Sequence, residues 1–253
     1  WCCLVGSEMC IRDRFCVSDD DYHQIKMNIS NDEIYKIGNP RYDRILNNLE
    51  NVEYKLDSSR QDEGNILIFA SMWDEDNKII FEKFINSPLV NHFKKVIIVP
   101  HEVNDSYLNY YCSVLEDNDF SFKKINQYQN FNQFDEKYII INKVGFLSKL
   151  YAQSTIAYVG GGFSKSGIHN IIEPAAASNP VIFGSNFLNS NKSDAEGLID
   201  VSGGFSVDSY ELFSEKINWL LDKNNYNNSS KNCKTFVTEN SGSTEKILKE
   251  LYE

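Results

Sequence analysis

The chain has 253 residues, 42% of them hydrophobic, which is ample for a buried core in one large domain or two small ones. With 36 Asp and Glu against 25 Lys and Arg, its formal net charge of -11 argues against a nucleic-acid groove, because phosphate backbones need clustered cations. No apolar run approaches the roughly 20 residues that span a bilayer, and no charged-then-apolar leader opens the chain.

Residues 1–14 are set apart, because the string GSEMCIRDR reads as translated adapter sequence at the end of a gene fragment. That reading makes 1–14 a non-native opening and implies a gene cut short upstream. Cys2, Cys3, Cys10 and Cys16 crowd this end, with Cys112 and Cys233 alone later. Neither zinc spacing nor a disulfide framework emerges, which fits a reducing cytoplasm. Residues 15–38 are polar and lack a clear period, as in a linker or the remnant of a preceding domain, and the compact unit is expected over 39–253.

Within that unit, β-branched runs at 66–69, 96–99, 138–141, 156–159 and 181–183 read as strands of a buried parallel sheet. Segments 75–86 and 103–117 have the length and amphipathic pattern of crossover helices. Later, Phe213, Ile217, Leu220 and Leu221 form a helical apolar stripe. The Asn- and Ser-rich run 225–231 reads as a solvated loop, and 243–252 as a last helix whose Ile247, Leu248 and Leu251 need a partner surface. Strand and helix alternate, so the fold class is α/β: a doubly wound, mostly parallel, Rossmann-like sheet.

The chemistry concentrates in residues 157–185, AYVGGGFSKSGIHNIIEPAAASNPVIFGS. Gly160, Gly161 and Gly162 follow a strand directly, so a ligand can approach backbone without meeting a Cβ. Asn170 is placed to cap a helix whose first N–H groups could face an anion, and Glu173 in its first turn could accept hydrogen bonds from vicinal hydroxyls such as those of a ribose. Glycines alone read more readily as a structural turn than as a ligand site. The glycines lie late in the chain and lack the G-x-G-x-x-G spacing, which disfavours a dinucleotide dehydrogenase.

The combination of GGGF, GIHNIIEPAA and PVIFG resembles the donor-site signature of Kdo transferases, the inverting GT-B glycosyltransferases that use CMP-Kdo, the cytidine-activated form of 3-deoxy-D-manno-octulosonic acid. Other segments follow in the family's order: GNPRYDRI at 38–45, FASMWDED at 69–76, Pro100-His101-Glu102, VGFLSKLY at 144–151 and GGFSV at 203–207. The resemblance covers about residues 15–253. It implies CMP contacts at Pro100 and His101, at Val144, Gly145 and Phe146, and at Asn170, Ile171, Ile172 and Glu173, with Gly161, Gly162, Lys165 and His169 completing the donor corner. His101 also reads as a strand-end cap, His169 as a hydrogen-bonded structural histidine, and Lys165 as a solvated turn residue. Three departures stand out: no Arg beside His101, Asn142 where relatives carry Asp, and Phe146 where they carry Glu.

What the resemblance implies about function is transfer of Kdo from CMP-Kdo to a lipid A precursor in lipopolysaccharide synthesis, without a metal, at the cytoplasmic face of the bacterial inner membrane. The family's catalytic base is a Glu of the N-terminal domain, so no catalytic residue is assigned in this sequence. The fragment alone is expected to be soluble and inactive, with membrane and acceptor contacts belonging to the other half. The alternatives are another GT-B enzyme, such as a UDP-sugar transferase or epimerase, and a non-catalytic nucleotide-binding fragment.

Overall fold

The computed structural model describes residues 13–28, 33–50, 64–127, 130–145, 147–187 and 191–252. The chain divides into two compact units, one formed by residues 1–47 with 238–253 and the other by 48–237.

In the first unit, β1 (Asp13–Cys16) and β2 (Glu33–Lys36) pair in parallel around α1 (Asp19–Asn28), followed by the start of α2 (Arg41–Glu50). The sequence reading took 15–38 as a linker or the remnant of a preceding domain, and it placed Asp13 and Arg14 in the non-native opening. The strands and helix are faint in the sequence for a local reason. Each strand is only four residues long, and α1 (DDDYHQIKMN) carries no apolar stripe, so neither period is visible. Phe15 and Tyr35 nevertheless meet across the strands at 5.8 Å, and Cys16 is buried. The last helix, α11 (Ser243–Tyr252), belongs to this unit. Asp43 holds its amino end by accepting from Gly242 N–H at 2.5 Å and Thr244 N–H at 2.6 Å. Leu248 and Leu251 remain half exposed on it.

The second unit is a seven-stranded parallel sheet in the order β5-β6-β4-β3-β7-β8-β9. Its strands are β3 (Asn65–Met72), β4 (Phe93–Pro100), β5 (Phe122–Ile125), β6 (Tyr138–Ile141), β7 (Ile156–Val159), β8 (Val181–Gly184) and β9 (Gly204–Val207). Every residue of β6, β7 and β8 is buried, as expected for parallel strands covered by helices on both faces. The edge strand β5 escapes the hydrophobic pattern because Lys123 and Lys124 face solvent, a common way to blunt a sheet edge.

Helices connect the strands. A helical stretch of α3 (Asp74–Asp76), a π turn (Asn77–Phe81) and α4 (Glu82–Ile85) follows β3; α5 (Asp105–Asp117) follows β4. Next come α6 (Leu147–Gln153), α7 (Ile172–Ala176), α8 (Lys192–Asp200), α9 (Tyr210–Leu220) and α10 (Lys223–Glu239). Phe213, Ile217 and Leu220 of α9 are fully buried as the stripe predicts, while Leu221 caps the helix. Residues 225–231, read from sequence as a loop, lie inside α10. Tyr226, Ser229, Cys233 and Val237 form its buried face, and the small polar residues bond backbone carbonyls: Ser229 Oγ to Ser202, Ser230 Oγ to Ser178 and Asn232 Nδ2 to Val201. Polar composition hid a packed helix because hydrogen bonds supply part of its anchoring.

Among the described residues Cys16, Cys112 and Cys233 are free thiols, and all three are buried; Cys2, Cys3 and Cys10 lie outside the described residues, as do positions 1–12 of the opening segment. No described helix is long and apolar enough to cross a membrane.

The core centres on Phe69 of β3, whose ring meets Phe81, Phe84, Tyr158 and Phe213 at 5.2–6.1 Å. Phe69→Ala should therefore cost roughly 3–5 kcal/mol, the range for emptying a buried aromatic site. Urea unfolding of the variant checks this; an unchanged midpoint contradicts it.

Candidate functional site

Chain direction decides where a ligand can bind. From β3 the chain moves to β4 on one side, and it later returns to place β7 on the other side of β3. In doubly wound sheets the crevice beyond the carboxyl ends at such a switch point is the binding site. Here the crevice is formed by Ser71 to Asp76, by Pro100 and His101, and by Gly160 to Glu173.

The two inner strands approach closely at this point. Ser71 adopts φ 55 at the end of β3, next to a register shift between Ala70 and Met72. Its carbonyl, together with Asp76 Oδ2 at 2.9 Å, occupies the place a Cβ on Gly160 would need. Gly161 then turns at φ +96. Beyond it the turn closes on itself: Ser164 N–H donates to Gly161 O at 3.0 Å, and His169 N–H donates to Gly160 O at 3.2 Å. Asn186 N–H ties the turn to β8 through Gly162 O at 2.8 Å.

Asp76 joins these pieces. Its Oδ2 accepts from Gly161 N–H at 2.8 Å and from Trp73 N–H at 3.1 Å, and its Oδ1 accepts from the Tyr158 hydroxyl at 2.6 Å. Burial raises the Asp76 pKa above its ordinary 3.8, against the lowering effect of the three hydrogen bonds. Burial likewise drives the Tyr158 phenol well above its usual value, with the Asp76 charge adding to the shift.

Three rings line the crevice beside this carboxylate. Trp73 Nε1–H donates to His169 Nε2 at 2.9 Å, with the ring planes 19° apart. His101 stacks on Trp73 at 3.8 Å and lies 4.6 Å from His169. Burial lowers the pKa of both histidines; Glu102 opposes the shift at His101, and His101 adds to it at His169.

Two of the expected segments meet at these rings through His101 and His169. Asn170 precedes the N-cap, which is Ile171, yet its Oδ1 accepts from Ile172 N–H at 3.0 Å and so does the capping. Its Nδ2 donates to Glu173 Oε1 at 2.9 Å, which orients the half-buried carboxylate. Ile171 and Ile172 are fully buried and support the short helix from beneath. Pro100, His101, Val144 and Gly145 line one cavity of about 80 Å³ with Ser71 and Leu147. Gly161 and Gly162 are buried in the glycine turn and do not line that cavity, and Lys165 is exposed. Phe146 lies outside the described residues.

A larger cavity of about 600 Å³ opens at the opposite, amino ends of the strands, between Asn86, Asn118 and Lys137. Size favours that cavity, but chain topology favours the crevice, where two histidines, a tryptophan, a carboxylate and a glycine turn converge. Trp73, Asp76 and Tyr158 were not picked out as site residues from sequence. The available signal was FASMWDED itself, an aromatic residue and a carboxylate immediately after the first strand of the sheet.

Comparison with known proteins follows the same lines. No family model matches the chain. It is 28% identical over 247 residues to the 3-deoxy-D-manno-octulosonic acid transferase of Chlamydia trachomatis serovar D, covering 94% of this chain and 55% of that protein. It is also 28% identical to the namesake enzyme of Rickettsia bellii, over 73% of this chain and 43% of the relative. The chain thus spans about half the length of the curated relatives it matches. Among solved structures, the C-terminal CMP-Kdo binding domain of WaaA from Acinetobacter baumannii superimposes with a TM-score of 0.59 at 15% identity, over 78% of this chain and 97% of that domain. The Anabaena protein HepE in complex with UDP aligns with a TM-score of 0.54 at 12% identity, over 94% of this chain and 62% of that one. These structures establish a GT-B, Rossmann-like fold, and the sequence similarity runs to the Kdo transferases.

The buried carboxylate yields a prediction with a definite sign. Because the folded pKa of Asp76 lies above 3.8, its protonation stabilises the fold fully below that pH, and the contribution fades as pH rises through the folded value. Asp76→Asn keeps the shape and an acceptor, so the stability difference between wild type and variant should shift against wild type from pH 4 upward and then level off. Asp76→Ala orphans two N–H groups and a hydroxyl, each worth about 1–3 kcal/mol, and should lose roughly 3 kcal/mol or more at all pH values. Denaturant titrations across pH test both statements; a pH-independent difference for the Asn variant contradicts the first.

Proposed function

We propose that this chain is the donor-binding part of a Kdo transferase, which takes Kdo from CMP-Kdo and gives it to a hydroxyl of a lipid A precursor. The carrying observation is the convergence of two separate sequence segments, Pro100–His101 and His169–Glu173, on one crevice at the switch point, within 4.6 Å between their histidine rings. Similarity to Kdo transferases across 94% of the chain supports the choice of donor.

In this reading the CMP portion lies across the carboxyl ends of β3, β4 and β7. Glu173, oriented by Asn170, accepts from the ribose hydroxyls, and the phosphate sits against the glycine turn and the amino end of α7. Charge builds on the phosphate as the sugar leaves, and fixed N–H dipoles stabilise it without a compensating cation. Pro100, Val144 and Gly145 flank the cytosine beside the small cavity.

Transfer proceeds with inversion and without a metal in this proposal, and the general base that deprotonates the acceptor hydroxyl comes from outside this chain. The chain alone then binds nucleotide weakly and turns nothing over. Acceptor recognition and contact with the inner membrane's cytoplasmic face belong to the remainder of the enzyme.

Calorimetric titration separates this from the UDP-sugar alternative. CMP should bind and UDP should not; a folded chain that binds UDP and ignores CMP overturns the proposal. Glu173→Ala should weaken CMP by at least about tenfold, equivalent to roughly 1.4 kcal/mol, and an unchanged affinity would move the ribose contact elsewhere.

A further inference from the structure

The Trp73–His169 pair carries information that the CMP contacts leave unused. An indole N–H can only donate, so the nitrogen it meets at 2.9 Å, His169 Nε2, has to be an acceptor without a proton. A neutral imidazole then carries its hydrogen on Nδ1. With the ring planes 19° apart, the centroids 6.0 Å apart and the nitrogens at 2.9 Å, the two rings meet edge to edge, so the indole N–H runs nearly parallel to the imidazole plane that holds the nitrogen lone pair. An imidazolium would set two donors facing each other across the same gap. Trp73 is itself held, through its backbone N–H, by Asp76 Oδ2 at 3.1 Å, and its ring is covered by His101 at 3.8 Å.

We propose that Trp73 is a positioning residue: its indole N–H fixes His169 as the neutral Nδ1–H tautomer, so that the crevice offers a directed, uncharged donor to an anionic oxygen of the nucleotide. The inference rests on the donor-site reading for the identity of the ligand, but not for the state of His169 in the free protein. It accounts for how a chain of net charge -11, with no Arg beside His101, can recognise an anion: by an oriented dipole rather than a cation. The titratable groups on the surrounding elements are His101 and Glu102 after β4, Asp74, Glu75 and Asp76 at α3, Tyr158 on β7, Lys165 in the glycine turn and Glu173 on α7. Burial lowers the His169 pKa, with His101 as the second cause, in the direction that the Trp73 hydrogen bond also favours.

The test reads the imidazole nitrogens directly. Long-range nitrogen–proton NMR of the nucleotide-free wild type should show His169 protonated at Nδ1 and bare at Nε2, with its titration displaced below the ordinary 6.5. Trp73→Phe keeps a stacking ring without the N–H; it should mix the two tautomers and move the His169 titration upward. A wild-type proton on Nε2, or an unchanged tautomer and titration in the variant, overturns the proposal. Should the variant fail to fold, the wild-type spectrum still decides.

A binding cycle with CMP then tests whether Trp73 acts through His169. Trp73→Phe should weaken CMP about tenfold in the wild type and not further in His169→Ala, whereas an equal loss in both backgrounds contradicts a positioning role. Absence of CMP binding by the wild type would sink the proposed function and leave the tautomer result to judge Trp73 on its own.

Discussion

The Asp76 carboxylate is the tie on which the site depends. The sheet alone does not set the crevice: β3 and β7 pair up to Ala70 and Val159, and Gly160 N–H still donates to Ala70 O at 2.8 Å, but the glycine turn and the start of α3 lie beyond that ladder. Asp76 binds the Gly161 amide, the Trp73 amide and the Tyr158 hydroxyl at once, which fixes the glycine turn, the start of α3 and the face of β7 relative to one another. Burying a carboxylate is unfavourable unless its oxygens are well supplied with donors, and here three are provided. The arrangement also explains the bare backbone of Gly160: the space of its missing side chain is filled by Ser71 O and by Asp76 itself.

From that tie the ring cluster follows. Trp73 is delivered to the crevice by the same hydrogen bond, and it in turn meets His101 from β4 and His169 from the glycine turn. The result is a site in which three rings and two hydrogen-bonded carboxylates, Asp76 and Glu173, are held in fixed orientation in an acidic protein. Long-range repulsion from a net charge of -11 opposes any anion, so the proposed nucleotide sugar would have to be held by short-range geometry, where N–H dipoles and ring nitrogens act at contact distance.

Much of this architecture was legible in the residues. Buried parallel strands are long runs of Val and Ile, and β6 and β7 coincide with the runs at 138–141 and 156–159. What escaped was structure whose signal is not hydrophobic. Strand β5 carries lysines outward, α10 is anchored through Ser and Asn to backbone carbonyls, and the paired strands of the first unit are too short to show a period. At the site, the resemblance directed attention to the helix bearing Glu173 and to Pro100–His101, which the structure brings to one crevice. It did not single out Trp73 or Asp76, since their roles depend on hydrogen bonds between residues 85 and 96 positions apart, a relationship with no imprint on local pattern.

The central claim is that cytidine monophosphate occupies the switch-point crevice and not the larger cavity at the opposite strand ends. Backbone amide NMR during CMP titration tests this most directly. The account predicts shifts concentrated at His101, Gly145, Gly161 and His169 to Glu173, with the residues around Asn86, Asn118 and Lys137 unmoved. Shifts confined to that second group, or spread without a focus, would contradict it.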